Sequence, residues 1–177
     1  MTPLLAVIDV QHVFADPTSP WGAPRFAAAH ANIRRLVAGF AGRVVHTRFV
    51  APAEPTGAWV PYYAQFPFAL EPPDAELYAL VDDPGDAPVL TATTFGKWGP
   101  ELAALAGDGP LVLAGVSTDC CVLSTALPAA DAGVGVQVVA DACAGATDAD
   151  HERALAAMAL YAPLIELATT DAVLAGR

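Results

Sequence analysis

Asp9, Lys97 and Cys121 are the residues whose types and positions could together do nucleophilic chemistry. Asp9 ends the apolar run Leu4 to Asp9. Lys97, the only lysine in the chain, follows the run Pro88 to Ala92. Cys121 follows the run Pro110 to Val116 after a short polar segment. A thiolate can attack an electrophilic carbon. An aspartate can take the thiol proton as general base. A lysine can hold that carboxylate and add positive potential. Backbone N–H groups at the start of the next helix can stabilise the oxyanion that forms. Cys121 opens a segment, Val122 to Ala132, rich in helix formers, and partial positive charge there is expected to favour thiolate over thiol. On position alone, Asp9 could equally cap a turn and Lys97 could be a solvated surface residue.

These residues need a scaffold, and the pattern of the chain supplies one. Strands are expected at Leu4 to Asp9, Arg43 to Val50, Pro88 to Ala92, Pro110 to Val116, Gly133 to Ala140 and Leu164 to Ala168. Helices are expected over Ala23 to Ala41, from about Asp119, and over Asp148 to Leu160 with Asp148 as N-cap. Near-continuous apolar strands alternating with helices imply an α/β protein, a three-layer α/β/α arrangement around a mostly parallel sheet of about six strands. Residues 1–177 read as a single domain. The irregular stretch is Ala51 to Asp86, rich in Pro and aromatics, in which Asp74 to Val81 could form a short helix. A long loop in a compact domain is usually functional.

Composition narrows the partners. The formal net charge of −11 disfavours nucleic acid and anionic membrane surfaces. No apolar run reaches the length of a membrane span. The start has no basic segment ahead of the first apolar run, so a secretory signal is not expected. The three cysteines, Cys120, Cys121 and Cys143, are an odd count with two adjacent, which argues for free thiols and a cytoplasmic setting. The Ala- and Gly-rich composition with one lysine fits a GC-rich bacterial genome.

The chain resembles the isochorismatase-like family of cysteine hydrolases over nearly its entire length. The resemblance rests on Asp9-Val10-Gln11, on Val44-Val45-His46-Thr47-Arg48, and above all on Gly115-Val116-Ser117-Thr118-Asp119-Cys120-Cys121-Val122. It continues through Thr125-Ala126, Val138-Val139-Ala140-Asp141-Ala142 and His151-Ala154-Leu155-Met158. It implies a Rossmann-like α/β/α fold and hydrolysis of an amide or related C–N bond through a thioester, with no cofactor. It also implies that Cys121 is the nucleophile, since the family's nucleophile precedes Val. The family's cis peptide would fall at Val116-Ser117, and its oxyanion donors would be the N–H groups of Ser117 and Cys121. One departure stands out. Aligning Phe95 and Trp98 with the family's aromatics puts Ala92 in the lysine slot and Lys97 five residues late. Lys97 either reaches back into the site, or the site lacks the lysine.

Nicotinamidase-like members carry an Asp-x-His metal cluster after the second strand, where this chain reads Thr47-Arg48-Phe49-Val50-Ala51-Pro52, so no metal is expected. His46 reads as a satisfied structural histidine, and His30 and His151 as members of solvated faces. Gln11, Phe14, Arg48, Trp59, Tyr62 and Trp98 are the expected substrate contacts. Phe14 is the first candidate for a pocket wall, and Arg48 either binds a substrate carboxylate or pairs with Asp16 or Glu54. A small-molecule substrate and a homodimer or larger homo-oligomer are expected. Two other readings stay open. One is an isochorismate-type vinyl ether hydrolase, which does not need the thiol. The other is a non-catalytic binding or scaffold homologue that has lost the lysine.

Overall fold

In the computed structural model, which describes residues 2–40 and 42–177, the apolar runs form six parallel strands. They are β1 (Leu4–Ile8), β2 (Val44–Phe49), β3 (Val89–Ala92), β4 (Leu111–Val116), β5 (Val136–Ala144) and β6 (Ile165–Ala168). Their order across the sheet is β3-β2-β1-β4-β5-β6. Every residue of β1 and β4 is buried, as strands covered on both faces must be.

Seven helices flank or cap the sheet: α1 (His12–Ala15), α2 (Phe26–Gly39), α3 (Trp59–Gln65), α4 (Pro100–Ala106), α5 (Leu123–Asp131), α6 (Asp148–Ala159) and α7 (Thr170–Ala175). On one face Phe26, Ala29, Ile33 and Leu36 of α2 pack with Val173 of α7 against Leu5, Val7, Val112 and Ala114. On the other, Leu102 of α4, Ala126 of α5 and Met158 of α6 pack against Ala6, Ile8 and Leu113. Ile33 and Leu36 are almost wholly buried, and each such side chain contributes about 1.5–3 kcal/mol. The strand order reverses at β1, so a crevice opens beyond the carboxyl ends of β1 and β4. That is where open α/β sheets bind ligands.

Several expected boundaries move. The long helix runs Phe26–Gly39, because Ala23 and Pro24 form a turn ahead of it. Its expected end at Ala41 lies outside the described residues, as does Met1. β5 continues past Ala140 to Ala144, because a register shift after Leu113 lets Cys143 and Ala144 pair with Gly115 and Val116. The cap of α6 is Thr147, whose hydroxyl accepts the Asp150 N–H at 3.0 Å, and not Asp148. Between Ala51 and Asp86 the chain forms α3, a 3₁₀ turn at Pro67–Ala69 and another at Glu76–Tyr78 in place of the longer helix expected from Asp74. Its aromatics fold inward. Tyr63 and Tyr78 are fully buried, and Trp59 and Tyr62 pack on the same cluster.

Candidate active site

Asp9 is the first residue past β1 and has φ of +49°. A non-glycine residue in this left-handed region is held there by its surroundings. Thr47, on β2, does the holding. Its hydroxyl accepts the Asp9 N–H at 3.1 Å and donates to Asp9 Oδ1 at 2.6 Å. Both residues are fully buried.

The Lys97 ammonium lies 2.9 Å from Asp9 Oδ2, with the two side chains 1% and 0% exposed. It meets that oxygen off the direction of a hydrogen bond. Its hydrogen bonds go instead to the carbonyls of Thr94 and Phe95, at 2.7 and 2.8 Å. Asp9 Oδ2 therefore has a close positive charge but no well-aligned hydrogen-bond donor. The charge also sits 5.5 Å from the Phe49 ring centroid. Lys97 thus reaches back into the crevice from its late position, and Ala92 ends the edge strand. The loop can do this because of Gly96: a Cβ there would come within 2.5 Å of the Ser124 carbonyl oxygen.

Cys121 lies in a π-helical turn, Thr118–Val122, that leads into α5. Such turns are rare and concentrate at functional sites. The Val116–Ser117 peptide ahead of it is cis. Gly115 passes so close to β1 that a Cβ would lie 2.1 Å from the Ile8 carbonyl oxygen. The Cys120 and Val122 N–H groups both bond the Ser117 carbonyl, and the Cys121 N–H lies between them. Thr125 ties this turn to the lysine loop. Its hydroxyl donates to the Cys121 carbonyl at 2.7 Å and accepts the Lys97 N–H at 3.0 Å. Thr118 Oγ1 and His151 Nδ1, 2.8 Å apart, tie the start of the turn to α6.

The expected low thiol pKa is not found. Cys121 is 3% exposed, and its pKa is pushed well above the ordinary value. Burial is the main cause, the Asp9 carboxylate adds to it as charge and as hydrogen-bond acceptor, and Lys97 and the Ser117 N–H oppose it. At rest the group is a neutral thiol sharing its proton with a carboxylate. Burial raises Cys120 as well, and lifts Cys143 to about 12.

The expected substrate contacts divide. Burial pushes the Tyr62 pKa up to about 12, with nearby Cys120 and Cys121 adding to it. Trp59, Tyr62 and Phe95 pack ring on ring at 5.2–5.8 Å centroid distances, Phe95 being part of the Lys97 loop. None of Asp9, Lys97 and Cys121 lines any of the four main surface cavities. Gln11 does not fit a substrate contact. Its amide nitrogen donates to the Phe49 and Tyr78 carbonyls and its oxygen accepts the Phe49 N–H, each at 2.8 Å, so its polar atoms are spent on the scaffold. Phe14 is buried in the core on the α2 side, stacked on Trp21. Trp98 packs against the core on the α4 and α5 side. Arg48 points away from the crevice, because alternation along β2 sets it opposite to Thr47. It lines a groove with Leu80, Asp82 and Asp83, and pairs with neither Asp16 nor Glu54.

The histidines also differ from their sequence readings. His151 is buried on Thr118. His30 is partly buried and meets Asp82 at 2.6 Å. His46 is buried without a side-chain hydrogen bond among the described residues.

A family model described as Isochorismatase domain matches residues 3–171. The chain belongs to the isochorismatase family. A curated relative, isochorismatase domain-containing protein 2 of Xenopus laevis, is 37% identical over 98 residues. That match covers 53% of this chain and 45% of the relative, so it spans less than half of that protein's length. A cysteine hydrolase from Pseudomonas syringae pv. phaseolicola superposes with a TM-score of 0.85 at 19% identity, over 98% of this chain and 91% of that one. A pyrazinamidase of Pyrococcus horikoshii in complex with zinc gives 0.76 at 24% identity, over 96% and 99%. At these identities the superpositions show the shared fold. The residues after β2 are Val50, Ala51 and Pro52, and the described residues contain no group of three His, Cys, Asp or Glu able to hold a metal. No helix among the described residues is long and apolar enough to cross a membrane.

Proposed function

We propose that the protein is a cysteine-dependent amidohydrolase that cleaves a C–N bond of a small molecule through a thioester on Cys121, with Asp9 and Lys97 as the other catalytic residues. The observation that carries this reading is the buried Asp9 carboxylate. It stands close enough to Cys121 to raise the thiol's pKa, and it has the Lys97 charge at 2.9 Å. As the sulfur attacks the amide carbon, its proton passes to Asp9, whose Oδ2 has no aligned hydrogen-bond donor at rest. The Lys97 ammonium stabilises the sulfur's developing charge. The N–H groups of Ser117 and Cys121 receive the oxyanion. Asp9 then returns the proton to the leaving nitrogen, and ammonia or an amine departs. In the second half Asp9 takes a proton from water, the resulting oxygen attacks the thioester, and Cys121 leaves with that proton. Because the resting thiol is neutral, charge appears only when substrate is in place.

Trp59, Tyr62 and Phe95 are proposed as the apolar wall against which a small substrate lies. No cofactor is required by this scheme. We further propose that the chain forms a homodimer or larger oligomer. Leu160 is 84% exposed and shares the β6 flank with exposed Tyr161, Leu164 and Leu167, an apolar surface suited to association. Light scattering should return a multiple of 18.1 kDa, and that mass alone at all concentrations would refute association.

Ammonia release from a panel of small primary amides tests the main reading. The expected result is turnover by the native protein, unchanged after dialysis against a strong chelator, and none by Cys121→Ala. Turnover that survives Cys121→Ala would refute the thioester route. Loss on chelation with recovery on added zinc would refute the metal-free scheme.

A further inference from the structure

The face of β2 turned away from the crevice carries a second, separate feature. α2 lies over β4 and β5 on that side of the sheet. β2 is faced there by the loop 80–88, and a cavity of about 770 Å³ remains between loop, strand and helix. That volume is typical of small-molecule sites. The loop is fixed at its near end: the Val81 N–H donates to the Val10 carbonyl at 2.9 Å, and Asp82 meets His30 of α2 at 2.6 Å.

The lining has two parts. Val7, Val37 and Val44 give an apolar floor and wall. His46 stands beside them, only 7% exposed, lining the cavity with no hydrogen-bond partner among the described residues. Its ring has no protein partner among the described residues and is open to the cavity, so a ligand group that enters can pair with it. Burial lowers the His46 pKa, so at neutral pH the ring is uncharged and can accept a proton donor. Around the mouth, the carboxylates of Asp82, Asp83 and Asp86 face one guanidinium, that of Arg34.

We propose that this cavity binds a small organic cation, an alkyl- or arylammonium. Its apolar body lies on Val7, Val37 and Val44, and its N–H group donates to His46 within the field of the three aspartates. An organic anion would be repelled by the rim. A second copy is not the occupant, because the apolar surface proposed for association lies on the β6 flank, toward the opposite end of the sheet from β2.

Nuclear magnetic resonance titration of the full chain with hexylammonium, hexanol and hexanoate tests this. Hexylammonium should give saturable shifts at Val37, Val44 and His46, and bind about tenfold more tightly than hexanol. Asp83 and Asp86 are exposed or partly exposed loop residues. The pair Asp83→Asn with Asp86→Asn should therefore leave the fold intact, bring hexylammonium toward the affinity of hexanol, and leave hexanol unchanged. His46→Leu should weaken hexylammonium more than hexanol. Hexanoate binding as tightly as hexylammonium would overturn the proposal. So would shifts confined to Tyr62 and Cys121, or no saturable shift at all. Loss of hexylammonium binding at the concentration where the chain associates would assign the cavity to a second copy and also overturn it.

Discussion

Strand β2 serves two regions that treat polar side chains in opposite ways. Thr47 faces the crevice, where its hydroxyl makes two hydrogen bonds to Asp9. His46 and Arg48 face the other way, where the imidazole has no hydrogen-bond partner among the described residues and Arg48 Nε has none. The crevice is closed from three directions, by the β1 turn, the Lys97 loop and the π turn before α5. Thr47 ties the β1 turn to β2, and Thr125 ties the π turn to the Lys97 loop. The α2 side of β2 has a loop where a helix could lie, and it stays open. The difference is one of preorganisation. Fixed dipoles and charges in a dry crevice need no rearrangement when charge develops on a reacting sulfur. Loosely held polar groups beside an open cavity suit binding.

The sharpest way to break the comparison is to remove the charge that completes the crevice. Lys97→Met should lower amide turnover by about 10²–10⁴-fold. It should also destabilise the fold by about 3–5 kcal/mol, because Asp9 is left buried without its partner. Adding Asp9→Asn should restore much of the stability and none of the activity, as chemical denaturation and steady-state rates would show. A Lys97→Met protein with native turnover would reduce the crevice to a dyad of Asp9 and Cys121.

Thr47→Val sharpens it further. The exchange keeps the shape and removes both hydrogen bonds to Asp9, so a stability loss of about 1.5–3 kcal/mol is expected. The reaction's pH profile should shift with it, since the carboxylate loses a donor. An unshifted profile with the stability loss would make Thr47 purely structural.

The pH dependence of stability has a defined sign. Cys143 stays protonated in the fold to about 12, against an ordinary thiol value of 9.0, because of burial. Cys121 is raised in the same direction. Above the ordinary thiol value the unfolded chain loses these protons and the folded chain does not. Their contribution is thus present in full below about pH 8.5 and lost as pH rises toward about 12. The melting temperature should fall over that window, and the fall should be shallower in Cys143→Ala. A parallel pH dependence in the two proteins would contradict the assignment. The smallest effect is expected on the other face of β2. His46→Leu should change amide turnover by less than about twofold, since surface or non-site changes are usually small. A large loss would mean that the two faces are coupled.

The sequence showed the positions of Asp9 and Cys121 because each follows an apolar run, and a parallel sheet places such ends together. It left Lys97 open, since spacing along the chain does not tell how a Gly96-containing loop folds back. Thr47 and Thr125 were legible as members of weak motifs, not as positioning groups, because threonine in a strand or helix has an ordinary structural reading. Arg48 could have been excluded by parity with Thr47 on one strand, as successive residues face opposite sides. Gln11 could not, because a primary amide serves a backbone clamp as readily as a ligand. The π turn left no sequence signal. Burial beside Asp9, also invisible in the sequence, changed Cys121 from the expected thiolate to a protonated thiol.

The central claim is that Cys121, protonated at rest, becomes acylated during turnover. Rapid acid quench of a reacting primary amide, followed by peptide mass mapping, tests it most directly. The account predicts an acyl mass on Cys121 in the native protein, absent from Cys120 and Cys143, and absent from every cysteine in Lys97→Met at the same time point. Ammonia release at native rates with no acyl mass on Cys121, or with that mass on Cys120, would contradict it.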